Sequence, residues 1–154
     1  MNTDNKKVLM TARRRTYETK EDRGREKTTI DFVKDKMQLG ELVKLPVKYR
    51  LDYAELNDDK YIMNFLEIKN RTIPKELYNT YMISADKMMS AYNYVKNFNV
   101  GFKLIVRWKD VVGYYTIKRD DYFSLGFNGR VDRGDWQDVE PVVYIPIKEF
   151  KDVY

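Results

Sequence analysis

YIMNFLEIKNR, residues 61–71, is an apolar run that ends by taking on a carboxylate, an ammonium and a guanidinium. Side chains alternate along a strand, so Met63, Phe65, Glu67 and Lys69 share one face, and Ile62, Leu66 and Ile68 share the other. Neither face is dependably polar, which is the pattern of a central strand covered on both sides. Glu67 and Lys69 therefore emerge together at the end of a strand whose other side chains are suited to a dry interior. That placement asks for a chemical reason.

The bulk properties narrow the answer. At 154 residues the chain fits one domain with a sizeable core, and 43% hydrophobic with 34% charged residues is a globular composition. There is no cysteine and no histidine. Disulfides, zinc–thiolate sites, thiol nucleophiles, serine–histidine devices and nearly all transition-metal centres are thereby excluded. Any metal must be held by oxygen, which favours magnesium, manganese or calcium. The apolar stretches are too short to cross a bilayer, and residues 1–15 lack the apolar core of a signal peptide, so the expectation is an intracellular protein with no membrane partner. The net charge of +5 is uneven: +4 over residues 1–40, +3 over 41–108 and −2 over 109–154. A basic front two-thirds suits a polyanion, and equally suits ordinary solubility.

Outward from the quoted strand, residues 1–25, with Arg13-Arg14-Arg15, read as a basic flexible arm ahead of a single domain over 26–154. Ile30, Val33 and Met37 fall on one stripe and predict a helix over 26–37, ended by Gly40. ELVKLPVKYRLDYAEL becomes strand-like after Pro46, and NDDK (57–60) is a turn into the quoted strand. IPKELYNTYM reads as a connection with some helical content. Ser84 stands at an N-cap position, opening a helix to about Phe98 whose stripe is Tyr81, Ala85, Met88, Tyr92 and Val95. GFKLIVRW and VVGYYTI form a hairpin around Lys109-Asp110; residues after Lys118 are turn-rich, with one more strand at VVYIPI. The fold class is α/β: a central mixed sheet flanked by helices.

A symmetric hairpin around NDDK, with two or four loop residues, sets a register. Leu56 then faces Tyr61, Asp52 faces Phe65 and Arg50 faces Glu67, which makes Asp52 and Glu67 diagonal neighbours on one face, roughly 7–8 Å apart. An odd loop would send Asp52 to the other face. Two carboxylates at that spacing can hold a hard divalent ion, which polarises a phosphodiester oxygen and lowers the pKa of a bound water. Lys69 beside them can orient or help deprotonate that water and offset charge growing on the phosphate.

The residues Asp52…Glu67-Ile68-Lys69, on adjoining strands after one helix and before another, resemble the PD-(D/E)XK nuclease superfamily. The wording LPVKYRLDYAEL, FLEIKNR, ISADK and IVRWKD is similar to small phage and bacterial members of the Holliday-junction-resolvase-like or VRR type. The likeness covers about residues 26–117, with 118–154 as an extension. Leu51 stands where the family name has proline. The resemblance implies a restriction-endonuclease-like αβββαβ core and Mg2+- or Mn2+-dependent hydrolysis of DNA. It further implies metal binding by Asp52, Glu67 and the Ile68 backbone carbonyl, and catalysis by Lys69. A first-helix acid is common there; Glu26, one turn before Ile30, fits best, with Asp31 and Glu21 as competitors.

Other residues invite a nucleic-acid reading beside a plain one. Lys87 and Ser84 sit in the first turn of the second helix, where a phosphate would relieve an unfavourable cation; a solvated lysine explains Lys87 as well. Arg130 and Arg133, among glycines, suit a phosphate clamp or a surface turn with Arg–Asp pairs to Asp132, Asp135 and Asp138. The expected function is a metal-dependent, structure-specific DNA endonuclease, with a homodimer expected on a two-stranded target. Its rivals are a non-catalytic nucleic-acid-binding module and a phage interaction protein on the same fold.

Overall fold

The computed structural model describes residues 18–154. The chain runs α1 (Lys20–Lys36), β1 (Glu41–Lys44), β2 (Tyr53–Leu56), β3 (Ile62–Asn70), β4 (Thr80–Ser84), α2 (Ala85–Phe98), β5 (Gly101–Arg107), β6 (Val112–Thr116), β7 (Ser124–Gly129), β8 (Val139–Pro146) and β9 (Lys151–Val153). Six strands form one sheet in the order β1-β2-β3-β5-β6-β9, parallel only between β3 and β5. The sheet is mixed, as expected, and β3 lies inside it. Three strands, β4-β8-β7, form a second antiparallel sheet.

The alternation of β3 divides the core in two. Leu66 and Ile68 join Ile30 and Val33 of α1 and Ile105 of β5 in one apolar cluster. Phe65 faces the other way, into a cluster with Met88, Ala91 and Val95 of α2 and residues of the second sheet. Leu66 is wholly buried. Leu66→Ala is expected to destabilise the protein by about 2–5 kcal/mol, read as a lower denaturant midpoint at an unchanged m-value.

Several local expectations need correction. The first helix begins at Lys20, not residue 26, because Thr19 and Asp22 close a reciprocal capping box (Asp22 N–H to Thr19 Oγ1, 3.1 Å; Thr19 N–H to Asp22 Oδ2, 2.9 Å). That helix takes in residues 20–25 of the stretch assigned to the arm; residues 1–17 lie outside the described residues. The helix is ended by Gln38, not Gly40: Gln38 takes the left-handed conformation at φ 51°. The strand expected after Pro46 is β2; ahead of it lies a further strand that was not expected, β1, set off by a turn at Pro46 (Tyr49 N–H to Pro46 O, 2.9 Å). IPKELYNTYM ends in strand β4, which takes Tyr81 out of the helical stripe, and β7 crosses the turn-rich stretch.

The β2–β3 hairpin is also not the symmetric one expected. Leu56 pairs with Ile62 around an odd loop of residues 57–61, and a bulge follows, so that Glu55 pairs with Asn64 and Tyr53 with Leu66. An odd loop alone would have turned Asp52 away; the extra residue at Met63 restores the parity. Ala54, not Asp52, faces Phe65, and continuing the pairing by one residue sets Asp52 directly across from Glu67 instead of diagonal to it.

Candidate active site

Asp52 stands one residue before β2. Its N–H donates to the Leu66 carbonyl (3.1 Å), and its Oδ2 accepts the Ile68 N–H (2.8 Å). The carboxylate is thus tied to the stretch of β3 that carries Glu67 and Lys69. An extended residue sends its N–H and C=O to the same edge, so the Ile68 carbonyl also leaves β3 on the Asp52 side.

Glu67 is fully buried. The Nζ atoms of Lys87 and Lys69 approach its Oε1 to 2.6 and 2.9 Å, off hydrogen-bond alignment, while Oε2 meets no donor. Glu55, the other buried glutamate, is different: Gly40 N–H and Asn64 Nδ2 satisfy both its oxygens, at 2.9 and 2.7 Å. Glu55 is structural. Glu67 keeps a buried oxygen, Oε2, that no donor satisfies.

Burial raises the Glu67 pKa, the Asp52 charge adds to the rise, and Lys69 and Lys87 work against it. For Lys69, burial pushes the ammonium down, but the adjacent carboxylate of Glu67, then that of Asp52, holds it above the usual lysine value. Lys69 is a cation.

Glu26, from α1, meets the same group of charges through an intermediary. Lys44 Nζ on β1 lies 2.5 Å from Glu26 Oε1 and 4.0 Å from Asp52 Oδ1, over the Tyr53 ring at 4.7 Å. The competing acids point elsewhere, Glu21 lying exposed beside Arg25 and Asp31 exposed on the helix. Lys87 is not a solvated lysine: besides Glu67, it donates to the Arg50 carbonyl (2.9 Å). Ser84 caps α2 by position, without a side-chain cap bond. Glu26, Asp52, Glu67, Lys69 and Lys87 are therefore brought together from four parts of the fold. Lys44 was missed because no strand was expected before Pro46; recognising β1 as the antiparallel neighbour of β2 would have set Lys44 opposite Tyr53.

A divalent ion fits this chemistry. The donors are carboxylate and carbonyl oxygens, and Glu67 Oε2 is a buried anionic atom lacking a partner. Among the described residues no three acids close into a ligand cluster. Like charges at close range need counter-ions, and here the ammoniums of Lys44, Lys69 and Lys87 supply them.

The site opens into a cleft of about 650 Å³. Its cationic lining comprises Lys48, Arg50, Lys69, Arg71 and Lys87, with Arg130 and Arg133 of the β7–β8 turn. Arg130 pairs with Asp132 (2.5 and 2.8 Å) and Arg133 with Asp138 (3.4 Å), so the Arg–Asp turn and the cationic wall are one structure. The cations outnumber the acids lining the cleft, Asp86, Asp138 and Glu140.

Residues 12–153 match the sequence profile of a family described as "Phage putative PDDEXK endonuclease". No curated protein sequence matches the chain. Among solved structures, the fold is similar to that of Hjc, a Holliday junction resolvase from the archaeal hyperthermophile Archaeoglobus fulgidus. That chain is 12% identical, the alignment covers 75% of this chain and 85% of Hjc, and the TM-score is 0.43.

Proposed function

The chain belongs to this phage family within the PD-(D/E)XK nucleases, and from that premise we propose that it is a divalent-metal-dependent, structure-specific endonuclease that hydrolyses DNA phosphodiester bonds. The observation that carries the proposal is the convergence of Asp52 and Glu67 from adjoining strands, with the Lys69 ammonium beside them.

In this reading Asp52, Glu67 and the Ile68 carbonyl hold Mg2+ or Mn2+, with Glu26 as the further acid. The ion supplies Lewis-acid polarisation of the phosphate and a water of lowered pKa. Asp52 and Glu67 contribute negative charge at fixed positions, and the hydrogen bond from Ile68 N–H orients Asp52. Lys69, kept protonated by Glu67, acts as a hydrogen-bond donor and point charge toward the phosphate, offsetting charge as it grows. Lys87, Ser84, Arg130 and Arg133 contact the DNA backbone and position it in the cleft. DNA in a bacterial or phage-infected cytoplasm is the substrate, and two copies of the chain serve a two-stranded target. No described helix is long and apolar enough to cross a membrane.

One observation favours a second reading, a DNA-binding module that does not cut: every acid of the group already touches an ammonium. Cleavage separates the two. With Mg2+, labelled four-way, flapped, linear and single-stranded oligonucleotides are expected to be cut, the branched ones fastest, and chelator is expected to stop it. Salt-sensitive binding with no cutting of any substrate in Mg2+ or Mn2+ would establish the second reading.

A further inference from the structure

Next to the cleft lies a second cavity, of about 410 Å³, which shares Arg71, Met82 and Asn128 with it. Its character is different. The cleft is lined by charge, whereas aromatic rings of Tyr78, Tyr81, Trp108 and Tyr144 line the cavity. Its volume is that of a small-ligand pocket with apolar walls and a few polar groups.

Two of the rings are available for stacking. Tyr78 is 64% exposed. Tyr144, on β8, is pinned: a Cβ at Gly126 on β7 would come within 2.5 Å of its ring, so the absent side chain lets the ring lie against the sheet. Its hydroxyl is 3.3 Å from Asn128 Nδ2, which fixes it further. Hydrogen-bonding groups lie beside the rings. Tyr81 is buried, its hydroxyl makes no aligned hydrogen bond, and the Arg71 guanidinium lies 5.1 Å from its ring centre. Arg71 itself follows Lys69 by two residues, just past the end of the strand that carries the site. A ligand here therefore has a flat apolar body with a polar edge, and is joined to something anionic in the adjacent cleft.

We propose that this cavity receives a single nucleobase turned out of the strand whose phosphate lies at Lys69, stacked between Tyr78 and Tyr144. The inference rests on the nuclease reading above and deepens it by naming the substrate class. Turning a base out of a duplex costs its pairing and stacking, and an already unpaired base avoids most of that cost. Stacking on an aromatic side chain returns a comparable amount per base without regard to sequence. The cavity consequently selects DNA with an unpaired nucleotide beside the scissile phosphate, as at a branch point or flap, over continuous duplex.

The test uses the whole chain in chelator, so that binding is read without cleavage, and flapped oligonucleotides carrying one abasic residue at successive positions around the branch. For the wild type, one position is expected to show binding weakened about tenfold by loss of the base, the scale of a single stacking contact. In Tyr78→Ala, at an exposed position that does not threaten folding, and in Tyr144→Ala, intact and abasic DNA are expected to bind alike at that position. A wild type indifferent to the abasic residue at every position, or variants that keep the full discrimination, would overturn the pocket. Parallel reactions with Mg2+ distinguish the two failures. Cutting without abasic sensitivity removes the pocket alone, and absence of both cutting and DNA binding removes the nuclease reading with it.

Discussion

Glu67→Gln is expected to abolish metal-dependent DNA cleavage, a loss of roughly a thousand-fold or more, while the protein stays folded. The side chain keeps its volume in a fully buried position, so packing is unchanged. What disappears is a carboxylate with one oxygen facing no donor, the group best suited to a cation. Removing one member of a buried ion pair is ordinarily costly because the other is stranded. Here Lys69 and Lys87 are each 30% exposed along the side chain, and Lys87 retains the Arg50 carbonyl, so both find other partners. The variant also carries a pH signature. Burial raises the Glu67 pKa in the folded chain, so folding favours the protonated form. The stability this contributes is fully present below the ordinary glutamate pKa and is lost as pH rises through the raised value. Glu67→Gln should flatten that part of the metal-free stability profile, measured by denaturant melts across acidic to neutral pH, and should lose the wild type's thermal stabilisation by Mg2+. Cleavage by this variant at the wild-type rate would remove Glu67 from the ligand set.

Asp52 is expected to separate into two roles under two substitutions. Asp52→Asn keeps an oxygen to accept the Ile68 N–H, now at 2.8 Å, and so keeps the join between β2 and β3. It loses the charge, and cleavage should fall by the same three orders of magnitude. Asp52→Ala loses both. The Ile68 N–H is left without its acceptor, and a hydrogen bond to a charged group contributes about 1.5–3 kcal/mol, so this variant should also melt earlier. If asparagine destabilises as much as alanine, the carboxylate's charge, and not its shape, holds the hairpin; if asparagine cuts normally, Asp52 is no ligand.

How much of this the amino-acid order made legible depended on which force set each element. The buried two-faced strand was readable because β3 is flanked by helices on both sides, and alternation then leaves an apolar signature on each face. Glu67 and Lys69 could be singled out because they interrupt that signature. Asp52 reached the right side through an argument with the wrong loop: turn length is read from local residues, while a bulge is set by packing along the whole ladder. The start of α1 eluded apolar periodicity because residues 20–28 have almost no apolar side chains, although Thr19-x-x-Asp22 is a cap visible in the letters. β4 and β7 are short strands of a small sheet with one outward face, where Thr80, Met82, Ser124 and Asn128 give no strong pattern. Arg130 and Arg133 could be named, but not the wall they form. That wall depends on the second sheet, and on pairing across residues 124–146 that no local rule supplies.

The bulge at Met63 also bears on how such a chain can change its length over generations. Residues 56–63 hold slack: a codon lost from the turn shortens the loop, and one lost at Met63 irons out the kink, and in either case the partnership of Glu55 with Asn64 survives. Beyond that partnership the slack ends. A codon lost among residues 64–66 would rotate Glu67 half a turn about the strand and strand it among the aliphatic side chains under α1. Relatives should accordingly differ freely in the spacing on one side of Asn64 and hardly at all on the other.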